Sequence, residues 1–221
     1  MLTIETNDLF DLTHTLAAPF LRDCQYPWQA FPQISGWIRE LGAALSKDEY
    51  EQRGEDIWVA RSAKVAPSAF IAGPAIIGPG TEVRHCAFIR GSALVGVDCV
   101  VGNSTELKNV ILFDKVQVPH YNYVGDSILG YRSHMGAGSI TSNVKSDKTL
   151  VTVRGENGVL ETGLKKFGAV LGDLVEVGCN SVLNPGTVVG AESTVYPLSM
   201  VRGVIPPKSI YKCAGEIADK K

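Results

Sequence analysis

An aliphatic residue that returns every six positions predicts that this chain of 221 residues folds as an all-β solenoid of hexapeptide repeats. Two further observations support that fold class: a Gly or Asn often follows the aliphatic residue, and the phase persists over about three coils. A parallel β-helix meets these conditions, because each side of its triangular coil of roughly 18 residues directs one aliphatic side chain inward. An ordinary β-sandwich is the alternative, but sandwich strands do not keep one six-residue phase.

Two runs carry the period. The later run is Leu171-Gly172, Val177-Gly178, Leu183-Asn184, Val189-Gly190, Val195-Tyr196 and Val201-Arg202. The earlier run is Val59, Val65, Ile71, Ile77, Val83, Ile89, Val95, Val101, Leu107 and Phe113. We expect each aliphatic residue to point inward and the residue after it to turn the corner with positive φ.

Between the two runs the phase resets, first at Val118 and then at Leu129. The sequence therefore predicts an altered corner within residues 113–129, next to the polar stretch 120–123. Irregular coils can re-aim side chains, so this corner is a candidate functional site.

Residues 1–56 differ in kind from the solenoid, and we predict an N-terminal helical segment there. One helix is expected around Leu9 to Leu16 and another from Ile34 to Leu45. The aromatic residues of the segment could line a ligand site, but we favour the interpretation that they attach helices to the β-surface. They are Tyr26, Trp28, Phe31 and Trp37. His14 is predicted to have no chemical role.

The solenoid is predicted to span residues 57–205, with an inserted loop at 145–166 and a C-terminal tail at 206–221. Two β-like stretches flank Gly155-Glu-Asn-Gly158 inside the insertion, which predicts a protruding hairpin loop. A long excursion from a strict repeat is usually functional, although a tolerated surface insertion is the alternative. The prolines at 206 and 207 are expected to stop the coils.

Composition argues against several functions. A net charge of −2 without a dense Lys/Arg block gives no support to nucleic-acid binding. No apolar run reaches the length of a membrane span and the first residues lack signal-peptide character, so we expect a cytoplasmic protein with no membrane partner. Five scattered cysteines without a C-x-x-C pair argue against disulfides and a zinc knuckle.

Four ordered motifs make the function more specific. They are Val101-Gly-Asn-Ser-Thr-Glu-Leu-Lys108, His120-Tyr-Asn-Tyr-Val-Gly-Asp126, Met135-Gly-Ala-Gly-Ser-Ile-Thr-Ser-Asn143 and Thr162-Gly-Leu-Lys-Lys-Phe-Gly-Ala-Val-Leu-Gly-Asp173. Together they resemble the acetyltransferase domain of the bifunctional N-acetylglucosamine-1-phosphate uridylyltransferase/glucosamine-1-phosphate acetyltransferase family. The resemblance implies a left-handed β-helix and a homotrimer with sites between chains. Residues 1–56 are too short for the family's nucleotidyltransferase domain, so we expect no uridylyl transfer.

The resemblance implies a role for each matched polar residue. His120 would take a proton from the substrate amine, because an imidazole titrates near neutral pH. Tyr123 and Asn143 would hold the sugar, while Arg90 and Lys108 would hold its 1-phosphate.

Two further residues have alternative interpretations. Lys148 is a weaker substrate-binding candidate, because Lys145 lies close enough to replace it. Asp126 could orient the His120 ring, but an Asp after Gly is also an ordinary turn residue.

The resemblance also implies acetyl-CoA as co-substrate, bound along a face that contains Ala137, Cys179 and Arg202. Backbone N–H groups at 136–138 are expected to stabilise the thioester oxyanion. His134 stands where the family commonly has Asn beside the acyl group, a departure that would alter the contacts with the acyl donor or supply a second hydrogen bond. No metal is expected: γ-class carbonic anhydrases bind zinc through three histidines on this fold, but two of theirs lie five residues apart. The solenoid histidines of this chain do not share that spacing.

The sequence is compatible with three functions. The leading hypothesis is an acetyl-CoA-dependent N-acetyltransferase for a hexosamine 1-phosphate, on the route to UDP-N-acetylglucosamine. An acetyltransferase for another amino sugar is the second. The third is a non-catalytic sugar-phosphate-binding or regulatory subunit, against which the set of His120, Tyr123 and Asn143 argues.

Overall fold

The computed structural model describes residues 4–155, 158–213 and 216–219. It confirms the predicted fold class, because parallel strands wind into a β-solenoid whose strands belong to a 14-stranded and a 9-stranded sheet. Within the described residues, no helix is both long and apolar enough to cross a membrane.

Helices precede the solenoid and short strands build it. The helices are α1 (Thr6–Leu9), α2 (Ala18–Arg22) and α3 (Ile34–Ala44), with 3-10 turns at Leu12–His14 and Pro27–Ala30. The strands before the excursion are β1 (Tyr50–Gly54), β2 (Ile57–Ala60), β3 (Lys64–Val65), β4 (Phe70–Ile71), β5 (Ala75–Ile77), β6 (Glu82–Val83), β7 (Phe88–Ile89), β8 (Ala93–Val95), β9 (Val100–Asn103), β10 (Glu106–Leu112), β11 (Gln117–His120), β12 (Tyr123–Leu129), β13 (His134–Met135) and β14 (Ile140–Thr141). The later strands are β15 (Thr152–Gly155), β16 (Gly158–Glu161), β17 (Ala169–Leu171), β18 (Glu176–Val177), β19 (Val182–Leu183), β20 (Thr187–Val189), β21 (Thr194–Val195), β22 (Met200–Val201), β23 (Val204–Ile205), β24 (Ser209–Cys213) and β25 (Glu216–Asp219).

Two sides of the solenoid have five residues instead of six. Regular coils repeat after eighteen residues, as β6 and β9 do, and the last coils repeat after sixteen, as β20 and β23 do. Leu107, however, lies opposite Val124 and Leu112 opposite Leu129, seventeen residues on. The shortened sides therefore run from Leu107 to Leu112 and from Val124 to Leu129. The prediction that Phe113 points inward is wrong, because Leu112 takes that position opposite the previous coil. Only the second shortened side lies in the predicted irregular range.

Glycines that follow the aliphatic residues allow coils to pack closely. A Cβ on Gly172 would lie 2.7 Å from the backbone N of Ala191 on the next coil. Positive φ occurs two residues later, at Leu174, where φ is 61°. The prediction that the residue directly after the aliphatic one adopts positive φ is therefore wrong at this corner. Gly172 is instead required because a side chain there would clash with the next coil.

The N-terminal segment covers one face of the triangular prism. Helix α3 packs on β5, β8 and β10 and buries Ile34 and Ile38. Beneath it Ile76 and Leu94 are buried although strand alternation points them away from the coil interior. Gly42 of α3 faces the Trp58 ring so closely that a Cβ would overlap it. The segment therefore completes the core on that face.

The helix predicted around Leu9 to Leu16 is broken in the structure. Helix α1 ends at Leu9, and Phe10 is extended so that its ring lies 4.8 Å from that of Phe113. The Asp11 carboxylate then accepts from the Thr13 N–H and caps a separate turn. Strand β1, which pairs with β2, was not predicted.

Aromatic side chains join the N-terminal segment to the solenoid, as the favoured interpretation requires. The Trp28 and Phe31 rings lie 5.6 Å and 5.2 Å from that of Phe167. Tyr26 stacks on Trp28, and His14 stacks on Tyr131 with 3.7 Å between ring centroids. These rings provide packing area at the junction.

Asp173 connects the segment to a coil corner by hydrogen bonds. Its carboxylate accepts from the N–H groups of Asp11 and Tyr131, each at 2.7 Å, and its own N–H donates to the Leu9 carbonyl at 3.0 Å. Burial raises the pKa of the Asp173 carboxyl above its usual value of 3.8. The segment therefore depends on this one acceptor for two backbone groups.

Asp173→Ala is expected to destabilise the protein by about 2 kcal/mol, because two N–H groups lose their acceptor. A raised folded-state pKa contributes stability at low pH that is lost as the pH rises through that pKa. The difference between wild type and variant should therefore be larger near pH ~4 than near pH ~7. Chemical denaturation at both pH values measures it. A difference below about 0.5 kcal/mol at both would contradict the role of Asp173.

The excursion is docked on the solenoid. It leaves after Asn143 and returns at Phe167, whose N–H donates to the Asn143 carbonyl at 3.0 Å. Strands β15 and β16 form the predicted antiparallel hairpin. A Cβ on Gly186 would lie 2.6 Å from the Thr152 carbonyl oxygen, and one on Gly203 would lie 2.7 Å from that of Arg154. Two glycines on successive coils thus admit the backbone of β15.

The coil ladder continues past residue 205. Strand β24 pairs in parallel with β21, with Tyr211 opposite Val195, so the prolines at 206 and 207 do not end it. The two prolines lie at a corner between β23 and β24, where no ladder N–H is required. The Ser193 hydroxyl donates to the Pro206 carbonyl at 2.8 Å. Strand β25 then reverses and pairs with β24.

Candidate functional site

A buried carboxylate organises the polar cluster at the shortened coils. Asp126 is 4% exposed and accepts from Lys108 at 3.2 Å, from the Asn109 amide at 2.9 Å and from the Asn143 amide at 2.5 Å. Asn109 and Asp126 occupy the two five-residue sides, with φ of 54° and 48°. The Asn109 amide also donates to the Phe31 carbonyl at 3.3 Å. The loss of one residue per side thus brings these groups together.

The second half of the cluster lies on the adjoining strands. Arg90 donates to Glu106 at 2.7 Å, and the Tyr123 hydroxyl accepts from the Asn143 amide at 3.2 Å. Tyr123 lies directly opposite Glu106 across β10 and β12. Burial, followed by the carboxylates of Asp126 and Glu106, raises the pKa of the Tyr123 phenol above its usual 10.0. All four main predicted acceptor-binding residues, Arg90, Lys108, Tyr123 and Asn143, therefore belong to one cluster.

His120 lies at the opposite edge of the same face, three residues before Tyr123. Its side chain is exposed and has no hydrogen-bond partner among the described residues. Asn122 fixes the corner: its side-chain oxygen accepts from the His120 N–H at 3.1 Å, and its amide donates to the Gly136 carbonyl at 2.9 Å and to the Ser139 carbonyl at 3.1 Å. These hydrogen bonds fix the backbone at His120, and its exposed imidazole is accessible to a ligand. Asp126 bonds to other groups, so the structure gives no support to its orienting His120.

His120, Ala137 and Cys179 occupy equivalent corner positions on consecutive coils. The His120 carbonyl accepts from the Gly138 N–H at 3.0 Å, and the Ala137 carbonyl accepts from the Asn180 N–H at 2.9 Å. Because adjacent strands lie ~4.8 Å apart, the three residues form a column about 10 Å long. Two of the predicted acetyl-CoA residues therefore lie in line with the predicted base.

Two of the three predicted oxyanion donors are occupied. The Gly136 N–H donates to the Val177 carbonyl at 2.7 Å and the Gly138 N–H to the His120 carbonyl at 3.0 Å, since both belong to the ladder between coils. The prediction for these two groups is therefore wrong. The Ala137 N–H has no acceptor within the ranges that the structure describes.

The remaining predicted residues are spread more widely. The His134 Nδ1 atom lies 2.8 Å from a carboxylate oxygen of Glu176, on the strand opposite it. Arg202 follows β22 on another edge of the prism, so the structure does not bring it to Ala137 and Cys179. Lys148 is exposed, whereas Lys145 lines the same cavity as Arg202.

The cysteines offer a direct check of the column. Cys86 and Cys179 are exposed, while Cys24 and Cys99 are buried. Burial raises the pKa of the Cys99 thiol to about 12, and its sulfur lies 3.0 Å from the Phe113 carbonyl. A thiol reagent near neutral pH should therefore label Cys86 and Cys179 in the folded protein and leave Cys24 and Cys99 unlabelled.

Mass spectrometry of the digested protein would locate the label, and acetyl-CoA should protect Cys179 more than Cys86. Labelling of Cys99 in folded protein would contradict the packing. Equal protection of Cys86 and Cys179 would contradict the predicted position of acetyl-CoA.

Several residues of the cluster were not predicted as site residues. Glu106, Asn109 and Asn122 belong to this group, and Asp126 was assigned a different partner. A signal was present in the sequence, because the aliphatic residues Leu107 and Leu112, and likewise Val124 and Leu129, are five rather than six positions apart. Asn109 and Asp126 lie within these two shortened intervals. The described residues contain no group of three His, Cys, Asp or Glu side chains placed to hold a metal ion.

Solved structures that align with the chain include an acetyltransferase domain and an O-acyltransferase. The acetyltransferase domain of PglB from Neisseria gonorrhoeae FA1090 aligns with 74% of this chain and 57% of its own, at 16% identity and a TM-score of 0.40. UDP-N-acetylglucosamine O-acyltransferase from Moraxella catarrhalis RH4 aligns over 72% of each chain, at 16% identity and a TM-score of 0.37.

Curated relatives share more sequence. The bifunctional protein GlmU of Methanococcus vannielii is 36% identical over 147 residues, which cover 66% of this chain and 34% of that protein. The bifunctional protein GlmU of Nostoc sp. is 34% identical over 134 residues, covering 61% and 26%. The chain thus spans about a third or less of these relatives' length.

The family comparison agrees with the motifs. A family model described as the GMPPB C-terminal domain matches residues 71–190, more than half of the chain. The GlmU relatives match the resemblance that the four motifs predicted, so that prediction is confirmed. The chain therefore belongs to the GMPPB C-terminal domain family and is related to the acetyltransferase region of the bifunctional GlmU proteins.

Proposed function

We propose that the chain is an acetyl-CoA-dependent N-acetyltransferase acting on a hexosamine 1-phosphate, with glucosamine 1-phosphate as the preferred acceptor. One observation carries the proposal: Arg90, Lys108, Tyr123 and Asn143 form one cluster, on the same face of the prism as a free imidazole at His120. Two cations beside sugar-binding hydroxyl and amide groups suit a phosphate-bearing sugar.

The chemistry follows from those positions. His120 accepts a proton as the substrate nitrogen attacks the thioester carbon, the new C–N bond forms, the C–S bond breaks, and the CoA sulfur leaves as a thiolate that takes up a proton. The Ala137 N–H is the backbone donor nearest in position to stabilise the developing oxyanion. The 1-phosphate would replace Glu106 and Asp126 as a partner of the two cations. In a homotrimer, a neighbouring chain would close the cleft over His120.

An acceptor series tests the proposal. CoA release is measured with glucosamine 1-phosphate, galactosamine 1-phosphate and glucosamine. We expect kcat/KM for a phosphate-bearing sugar to exceed that for glucosamine by roughly 100-fold, since two charge-assisted contacts are lost without the phosphate. Arg90→Gln should remove most of that preference. Arg84→Gln is the matched control, because Arg84 pairs with Glu82 at 3.2 Å away from the cluster.

Equal turnover of glucosamine and its 1-phosphate would overturn the assignment of the acceptor. Sedimentation mass tests the assembly, since a single-chain mass in the active protein would contradict a site between chains.

A regulatory sugar-phosphate-binding subunit is the second candidate. It is favoured by the pairing of both cations, because Arg90 with Glu106 and Lys108 with Asp126 form a closed network without a ligand. Binding of glucosamine 1-phosphate by calorimetry without CoA release would favour this function over the enzyme.

A further inference from the structure

A cavity of about 410 Å³ lies between the excursion and the solenoid. Ser142, Asn184 and Arg202 line it from the solenoid, and Lys145, Thr152 and Arg154 from the excursion. Val151 and Val153 are fully buried, so strand alternation turns Thr152 and Arg154 to the side of the cavity. The glycines that admit β15 therefore also fix the position of Arg154.

The cavity is positively charged. Three cations and one carboxylate, Asp147, line it, and Asp147 lies 3.5 Å from Lys145. Arg154 and Arg202 have no carboxylate partner among the described residues, unlike Arg90 in the cluster. The local charge is about +2 in a chain whose net charge is −2. Two exposed arginines without carboxylate partners, one from the excursion and one from the solenoid, suit an anion that can accept from both.

This site is separate from the acceptor cluster. Arg202 occupies the same position within its coil as Lys108, directly after an inward-facing aliphatic residue, but four coils further along. At ~4.8 Å per strand this separation is ~19 Å. One sugar phosphate cannot reach both positions. An anion bound in the cavity would therefore be a different group from the acceptor phosphate. Binding of that anion does not depend on the acetyl transfer proposed above.

We propose that the cavity formed by Lys145, Arg154 and Arg202 binds a phosphate or diphosphate group of a nucleotide. The phosphate end of the acyl donor and the diphosphate of a nucleotide sugar share this chemistry. Inorganic pyrophosphate is the simplest probe, with adenosine 3′,5′-bisphosphate and UDP as probes of the two sources.

Calorimetry of the full chain tests the site. The double variant Arg154→Gln/Arg202→Gln is expected to weaken pyrophosphate binding by more than about 30-fold. Lys165→Gln/Lys166→Gln removes the same charge from exposed positions of the same excursion and should change the affinity by less than about threefold. Arg84→Gln, which lies outside both the cavity and the acceptor cluster, should likewise leave pyrophosphate affinity unchanged.

The nucleotide whose binding shows the same dependence on Arg154 and Arg202 identifies the source. Equal weakening by the Lys165/Lys166 control would overturn the proposal, because it would show a general charge effect. Pyrophosphate binding unaffected by the arginine variant, or no binding of any probe, would overturn it as well. If the wild-type protein binds pyrophosphate through these arginines but shows no acetyl transfer, that result would count against the proposed function alone.

Discussion

His120→Ala is expected to lower kcat for acetyl transfer by roughly 100-fold to 10,000-fold, the range that general bases contribute. The reason is that an ammonium group has no lone pair to attack the thioester, and His120 is the exposed imidazole nearest along the chain to Tyr123. KM for the sugar phosphate should change little, since Arg90 and Lys108 hold the phosphate. Steady-state CoA release measures both quantities.

His85→Ala is the matched control. His85 is an equivalent corner residue two coils earlier, and its Nδ1 atom lies 2.9 Å from the Ser68 hydroxyl. It should keep kcat within about twofold, because its ring lies ~10 Å along the axis from His120. Full activity of His120→Ala would remove this residue from the mechanism, and a rise in KM alone would make it a binding residue.

Asp126→Ala is expected to destabilise the protein by about 3 kcal/mol, since it leaves the partly buried Lys108 without its carboxylate and two amides without their acceptor. For a chain of this size that corresponds to a fall in Tm of roughly 6–12 °C. KM for the sugar phosphate should also rise, because Lys108 and Asn143 lose their common anchor. Thermal unfolding and steady-state kinetics of the same preparation test both effects.

Glu82→Ala is the control for the loss of an ion pair as such. Its partner Arg84 lies 3.2 Å away at a half-buried surface position, and surface pairs contribute about 0–1 kcal/mol. A fall in Tm of Asp126→Ala no larger than that of Glu82→Ala would contradict a central role for the Asp126 network. The double variant Asp126→Ala/Lys108→Ala should be more stable than the sum of the single changes predicts.

The sequence predicted the fold class because the six-residue period is a strong constraint. One aliphatic residue per side must stack on the previous coil, so residues such as Val101 and Val177 reveal the solenoid without tertiary information. The hairpin was also readable, since Gly155 and Gly158 flank its turn. The path of the N-terminal segment was not, because Phe10 and Trp28 find Phe113 and Phe167 through contacts distant in sequence.

For the site, motif resemblance selected residues that the structure brings together, but it did not supply their partners. Glu106 and Asp126 neutralise the predicted phosphate-binding cations, a relation that depends on which coils are adjacent. The oxyanion prediction failed at Gly136 and Gly138 for a related reason: a backbone N–H in a solenoid corner is normally used by the neighbouring coil. Arg202 was predicted as an acetyl-CoA residue, but its position beside Arg154 could not be predicted, since it depends on the docking of β15 at Gly186 and Gly203.

The two five-residue sides have a consequence for how this chain can change. An extra amino acid next to Asn109 or Asp126 would leave every side chain of the cluster intact, yet it would rotate the polar groups out of line with their neighbours. Spacing between successive core residues is thus inherited information in its own right, and an alignment that admits gaps freely at these corners would discard it.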